Sequence, residues 1–242
     1  MKKAVLDLWS GTGSATAPFK DAGFEIISLD IDKKRKATFQ IDILEFHTMV
    51  MDGRFDAYLV NNELELIFIW ASPDCKVFSL ANAGMSENWH QSNPCSSRAF
   101  LSLARVAATL EIIEKLDVDY WVLENPRGML RSVPMMGLYP RRTVTYCQYG
   151  DNRMKPTDLW GYIPVAWKPK SCNNGDKCHE ASPRGSSTGT QNLRYNQRIA
   201  IPYELPNSIM HECIKRDWKR ARWKDLSDFA LETRQVGGGG DY

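Results

Sequence analysis

Residues 3–32, KAVLDLWSGTGSATAPFKDAGFEIISLDID, decide the fold. Residues 3–9, KAVLDLW, form an apolar run of the length of a buried strand. SGTGSA follows as a Gly-rich turn, then a helical segment from about Thr16 to Ala22. Residues 24–29, FEIISL, are a second strand, which ends at Asp30-Ile31-Asp32. Strand, Gly-rich turn, helix, strand and acid open a nucleotide-binding βαβ unit. Gly11 and Gly13 let the backbone approach a ligand closely, and Asp30 can hold ribose hydroxyls. The turn lacks the later glycine of the full fingerprint, so its spacing alone also suits a plain strand–turn–helix junction. The expected class is α/β: a Rossmann-like, mostly parallel sheet with helices on both faces.

Working outward, residues 67–79, IFIWASPDCKVFS, place an apolar strand before a Ser72-Pro73-Asp74 turn that delivers Cys75. Open α/β sheets bind ligands at the C-terminal ends of their strands, so this thiol is placed to be a nucleophile. An edge pair is expected before it, around 55–69. Asp42-Ile43 is either a third acid at the ligand or a surface turn. Residues 80–97, LANAGMSENWHQSNPCSS, are polar and without periodicity, and suit a lid over substrate. Residues 98–116 have apolar groups at helical spacing. Residues 120–126, YWVLENP, form another buried strand ending in Glu124. In a parallel sheet its carboxylate shares an edge with Cys75.

The chain has 242 residues, 43% of them hydrophobic, enough for one large domain or one with a small appendage. No apolar run reaches the roughly 18 residues that span a bilayer. MKKAVLDLWSG reads as a first strand and not as a secretion signal, so a cytoplasmic protein is expected. Six cysteines then stand as thiols, metal ligands or catalytic groups. The net charge of +2 hides an asymmetry. Residues 1–121 carry 12 Lys/Arg against 17 Asp/Glu, a net of −5, and residues 122–242 carry 19 against 12, a net of +7. The basic half can face a polyanion, or be ordinary solubilising charge.

In that half, residues 143–150, TVTYCQYG, read as a strand, and residues 158–162 as another. Arg153 and Lys155 bring cations between them. The segment CNNGDKCHEASPRGSSTGTQN, almost free of aliphatics, is a loop-built insertion. Cys172, Cys178 and His179 lie in it, with Cys147 available from the core. These are zinc-ligand types, but C-x5-C-H is no standard finger spacing. They read more readily as free polar groups, with no metal. A helix follows from about Pro206 to Arg216. KRDWKRARWK, residues 215–224, could track phosphates or pack its tryptophans on the core. The GGGG at 237–240 makes a flexible tail.

Together, LDLWSGTGSATAPFKDAGFEIISLDID, ASPDCKVFS, WVLENPRG and QYGDNRMKPTDLWGY resemble, in order, the blocks of the DNA cytosine-5 methyltransferase family. The resemblance covers about residues 4–162, with a weaker tail at 194–215, and is greatest to small phage and prophage members. It implies a methyltransferase core at 1–162, a target-recognition insertion at 163–193, a C-terminal segment at 194–236 returning to the core, and a tail at 237–242. It implies S-adenosylmethionine held by Asp7, Trp9, Gly11, Gly13, Asp30, Ile31, Asp42, Ile43, Pro73 and Leu101. Cys75 matches the nucleophile that attacks cytosine C6, and Glu124 the acid that contacts the flipped base. Arg153 and Lys155 stand in the place of a Gln-x-Arg-x-Arg block. Double-stranded DNA is the implied partner, without a membrane, for a monomer.

Three departures stand out. Asp74 replaces the usual proline before the nucleophile, and a carboxylate there raises a thiol's pKa. The cationic block is altered, and the insertion is short. Methylation of an exocyclic amine would need a Pro-Pro-aromatic tetrapeptide, where this chain has Ser-Pro-Asp-Cys. A cytosine-5 methyltransferase acting on structured RNA would also carry these blocks; a catalytically silent DNA-binding relative is favoured by Asp74 and opposed by Cys75 and Glu124, which it has no reason to keep together.

Overall fold

The computed structural model describes residues 1–79, 87–90, 93–180 and 193–219. The strands are β1 (Lys2–Leu8), β2 (Glu25–Leu29), β3 (Leu64–Ala71), β4 (Trp89–His90), β5 (Asn93–Pro94), β6 (Tyr120–Pro126), β7 (Arg141–Thr145) and β8 (Pro156–Trp160). The helices are α1 (Ala17–Asp21), α2 (Ile43–Met51), α3 (Arg54–Asn61), α4 (Ser97–Leu116), α5 (Tyr195–Ile199) and α6 (Glu204–Lys215). Six strands form one sheet in the order β2-β1-β3-β6-β8-β7. The first four are mutually parallel. β8 runs antiparallel to both neighbours.

The central strands are apolar on both faces because helices cover both faces. On one side Phe46, Val50, Phe55, Val106 and Leu110, from α2, α3 and α4, pack against Ala4, Leu6, Leu8 and Ile69. On the other, Phe19 from α1 and Leu205, Ile209 and Met210 from α6 pack against Val5, Phe68, Trp70 and Val122. The expected doubly wound α/β architecture is the observed one. From β1 the chain moves to β2 on one side and later to β3 on the other. That change of direction opens a crevice at the C-terminal ends of β1 and β3.

The structure differs from the sequence reading in three places. Residues 54–61 form α3 and not an edge strand: Phe55, Tyr58 and Leu59 have the i, i+3, i+4 spacing of a helical face. Phe55 is fully buried against Phe46 and Phe39. Asp42 is no surface turn; it caps α2 by accepting a hydrogen bond from the Leu44 amide at 2.9 Å. The strand expected over 143–150 stops at Thr145, the last residue paired with β8, and Tyr146–Tyr149 turn as a 3-10 helix ending at Gly150.

Residues 80–86 and 91–92 of the expected lid lie outside the described residues. Around them β4 and β5 pair, and the Trp89 indole donates to the Val77 carbonyl at 2.7 Å. Among the described residues no helix is long and apolar enough to cross a membrane.

Candidate functional site

The turn after β1 is held in left-handed conformations, with φ of 66° at Trp9, 52° at Gly11 and 72° at Gly13. Such a φ is ordinary for glycine and strained for tryptophan. Two contacts hold Trp9 and its neighbour there. The Trp9 indole donates to Thr109 Oγ1 on α4 at 3.2 Å, and the Ser10 amide donates to the Leu29 carbonyl at 2.9 Å. Asp30, at the end of β2, accepts from the Gly11 amide at 2.8 Å and from the Asp32 amide at 2.8 Å. A side chain at Gly13 would meet nothing within 4 Å, so the space over the turn is open.

Asp7 is fully buried beneath this turn. One carboxylate oxygen accepts from the Thr16 hydroxyl at 2.6 Å, and Oδ1 has no partner among the described residues. Burial raises its pKa to about 7. Trp9, Pro73, Asp74, Phe78, Ser102 and Arg105 line one cleft beside it. The aromatic ring of Trp9, the apolar Pro73 and Phe78 and the polar Asp74, Ser102 and Arg105 make a lining that fits a nucleoside-bearing group.

Not all the predicted binding residues converge there. Asp42 pairs with Arg105, so its carboxylate is engaged inside the protein. Ile43 is buried in the core under α2, and Ile31 is 56% exposed. Leu101 is 44% exposed, and its neighbours on α4, Ser102 and Arg105, reach the cleft instead.

The thiol and the carboxylate picked out in the sequence sit one strand over. β3 and β6 pair in parallel with Ala71 opposite Leu123. The Cys75 turn and Glu124 therefore leave adjacent strands at one edge of the sheet. Asn125 is buried and donates to the Pro73 carbonyl at 2.9 Å, tying that turn to β6. Gly128 makes a second tie. A Cβ there would lie 2.1 Å from the Phe78 carbonyl oxygen, which also accepts from the Met129 amide at 2.7 Å. No larger residue permits this approach.

Cys75 is half-buried. Burial, then the Glu124 carboxylate, then Asp74 push its thiol pKa up, and the Lys155 ammonium opposes them. Asp74 is exposed and accepts from the Lys76 amide at 3.1 Å, so it ranks behind Glu124 as a charge on the thiol. Glu124 is 5% exposed and accepts from the Tyr146 hydroxyl at 2.9 Å. Burial and Glu124 hold the Tyr146 pKa well up, so the phenol stays a donor.

Lys155 lies 4.5 Å from the Tyr146 ring centroid and donates to the Arg198 carbonyl at 3.2 Å. Burial lowers its pKa, against the pull of Glu124 and Cys75. Arg153 is clamped on Asp151 and donates to the same carbonyl at 3.2 Å. Of the two predicted cations, Lys155 faces the thiol and the carboxylate, while Arg153 braces the loop.

Asn125 and Tyr146 are the members that the sequence reading missed. Asn125 lay in view beside Glu124. Tyr146 carried no local signal, because its partner is 22 residues away on β6. Cys172, Cys178 and His179 do not join Cys75 and Glu124; they converge on Cys147.

No protein-family model matches the chain, and no curated protein matches it. Solved structures do. A prophage-encoded protein of E. coli, described as a DNA modification methyltransferase, aligns with a TM-score of 0.47 and 17% identity, over 66% of this chain and 46% of its own. A Spodoptera frugiperda DNMT2 mutant aligns with a TM-score of 0.40 and 16% identity, over 72% and 56%. The S. pombe Dnmt2 methyltransferase aligns with a TM-score of 0.40 and 18% identity, over 70% and 52%. The chain spans about half the length of these structures. Likenesses this weak carry no argument about fold or activity, and the functional reading rests on the residues of the site.

Proposed function

We propose that the protein transfers a methyl group to C5 of cytosine in DNA. One observation carries the reading: a thiol and a buried carboxylate leave adjacent parallel strands at the same sheet edge, with an ammonium facing both. A nucleophile paired with a hydrogen-bonding acid matches what addition to a pyrimidine ring requires. The neighbouring cleft fits S-adenosylmethionine, with Trp9 as the aromatic wall, Asp30 at the ribose and Asp7 beneath the turn. When bound, that group supplies an electrophilic methyl.

Each residue then has its own task. The target cytosine leaves the base stack and enters beside Cys75. The ring's N3 and 4-amino group face Glu124, whose other oxygen is held by Tyr146. Base entry satisfies the Glu124 carboxylate and so weakens the charge that opposes thiol ionisation, while Lys155 favours the thiolate. Cys75 sulfur then bonds to C6 as N3 gains a proton through Glu124. C5 would then attack the methyl carbon of bound S-adenosylmethionine, with S-adenosylhomocysteine as the leaving group. A water molecule takes the C5 proton as the C6–S bond breaks and the Cys75 thiolate leaves, and N3 returns its proton to Glu124, which restores the neutral aromatic ring. The short insertion at 163–193 implies a short recognition sequence.

The test is a covalent trap. Duplex DNA containing 5-fluorocytosine is incubated with the protein and S-adenosylmethionine. An adduct stable to denaturant, absent in Cys75→Ala, is the expected result. An adduct with transfer RNA and none with DNA would move the substrate to RNA. No adduct and no methyl transfer with either would sink the reading.

A further inference from the structure

We propose that Cys147, Cys172, Cys178 and His179 bind one zinc ion that clips the loop insertion to the core. Their ligand atoms all lie within 4.8 Å of one another. Cys147 Sγ is 3.3 Å from Cys172 Sγ and 3.6 Å from Cys178 Sγ. His179 Nδ1 is 3.6 Å from Cys172 Sγ and 3.5 Å from Cys178 Sγ. Zinc bonds of about 2.3 Å to sulfur and about 2.0–2.1 Å to nitrogen, set at tetrahedral angles, put ligand atoms about 3.6–3.8 Å apart. Four of the six ligand–ligand distances are thus within about 0.5 Å of those of a zinc tetrahedron, and the other two are no longer than 4.8 Å.

The chemistry points the same way. Three thiols and an imidazole nitrogen turned to a common centre are the Cys3His donor set. A disulfide would bring two sulfurs to about 2.05 Å and would leave the third thiol and the imidazole without a role. All six cysteines are free. Four protein ligands leave no open position, so the ion is structural and not a Lewis acid for substrate.

The site also meets a need of the fold. Residues 168–180 contribute no buried side chain, so the loop has no apolar core of its own. A few hydrogen bonds fix its course. The Thr145 amide donates to the Lys170 carbonyl at 3.1 Å, and the Cys172 amide donates to Thr145 Oγ1 at 3.0 Å. The Glu180 amide donates to the Asn152 carbonyl at 2.9 Å. Small coreless units are commonly stapled by metal, and binding energy there becomes folding energy. Cys147 adjoins Tyr146, so the clip also steadies the phenol that holds Glu124.

The experiment uses the full chain, purified under reducing conditions, and reads metal directly. One equivalent of zinc per chain by mass spectrometry of the metal is expected. Exchange for cobalt should give the visible bands of a tetrahedral cobalt–thiolate site. Cys172→Ser and His179→Ala should lose zinc to a competing chelator at least tenfold more readily, while Cys95→Ser should match the parent. A parent protein that stays below a tenth of an equivalent after zinc is offered overturns the proposal. So does cobalt that shows no tetrahedral thiolate bands, or zinc held as tightly by Cys172→Ser as by the parent. These readouts need no methyl transfer and stand whether or not the proposed reaction occurs.

Discussion

At the scale of single residues, the site is an electrostatic balance around one thiol. Burial and Glu124 disfavour the Cys75 thiolate, and Lys155 favours it. Lys155→Gln removes the favourable charge, so the thiol pKa rises further. A pKa higher by about one means about tenfold less thiolate at fixed pH. Adduct formation at pH 7 should fall about tenfold in the variant, with its alkaline rise displaced to higher pH. A pH–rate profile that overlays the parent's would remove Lys155 from the chemistry. Asp7 gives a second residue-scale prediction. Its pKa lies near 7 in the folded chain, against an ordinary value of 3.8. The folded state therefore holds a proton that the unfolded chain has released between about pH 4 and 7. Stability must fall as pH rises through that window and level off above it. Asp7→Asn should flatten that slope, as read from thermal melts between pH 4 and 8.

At the scale of elements, precision comes from ties between strand ends. Asn125 and Gly128, both just beyond Glu124, hold the Cys75 turn through the Pro73 and Phe78 carbonyls. Opposite them, Asp158 anchors β8. It is fully buried, pairs with Arg131, and accepts from the Thr143 hydroxyl at 2.7 Å. One carboxylate thus joins β8, β7 and the turn after β6. Removing one partner of a buried pair strands the other, which costs about 3–5 kcal/mol. Arg131 is partly exposed and can turn toward water, so Asp158→Ala should lose about 3 kcal/mol, at the low end of that range. A urea unfolding curve measures it; a loss under about 1 kcal/mol would show that the pair carries little.

At the scale of the molecule, the charge asymmetry becomes a test of the partner. The half with net charge +7 includes the insertion and the C-terminal segment. If three of its cations meet phosphates, affinity for duplex DNA falls roughly 40-fold between 50 and 200 mM salt. Binding by fluorescence anisotropy across that range is expected to show this slope. A flat response would mean that the basic half is solvated charge and not a contact surface.

The features legible in the chain alone were local ones. The apolar runs, the Gly-rich turn and the amphipathic stretch at 98–116 dictate their own elements, because period and turn chemistry act over a few residues. The parallel sheet follows from their alternation, and with it the shared edge of Cys75 and Glu124. α3 departs from the edge pair expected around 55–69, although Phe55, Tyr58 and Leu59 carry its helical spacing. Which side chains meet was a matter for the folded molecule. Tyr146 reaches Glu124, Lys155 rather than Arg153 faces the thiol, and Asp42 is engaged by Arg105, 63 residues away. The proposed zinc ligands make the point most sharply. Cys147 stands 25 residues before Cys172, and no spacing rule links them. Only the folding of the insertion back onto the end of β7 brings the fourth ligand to the other three.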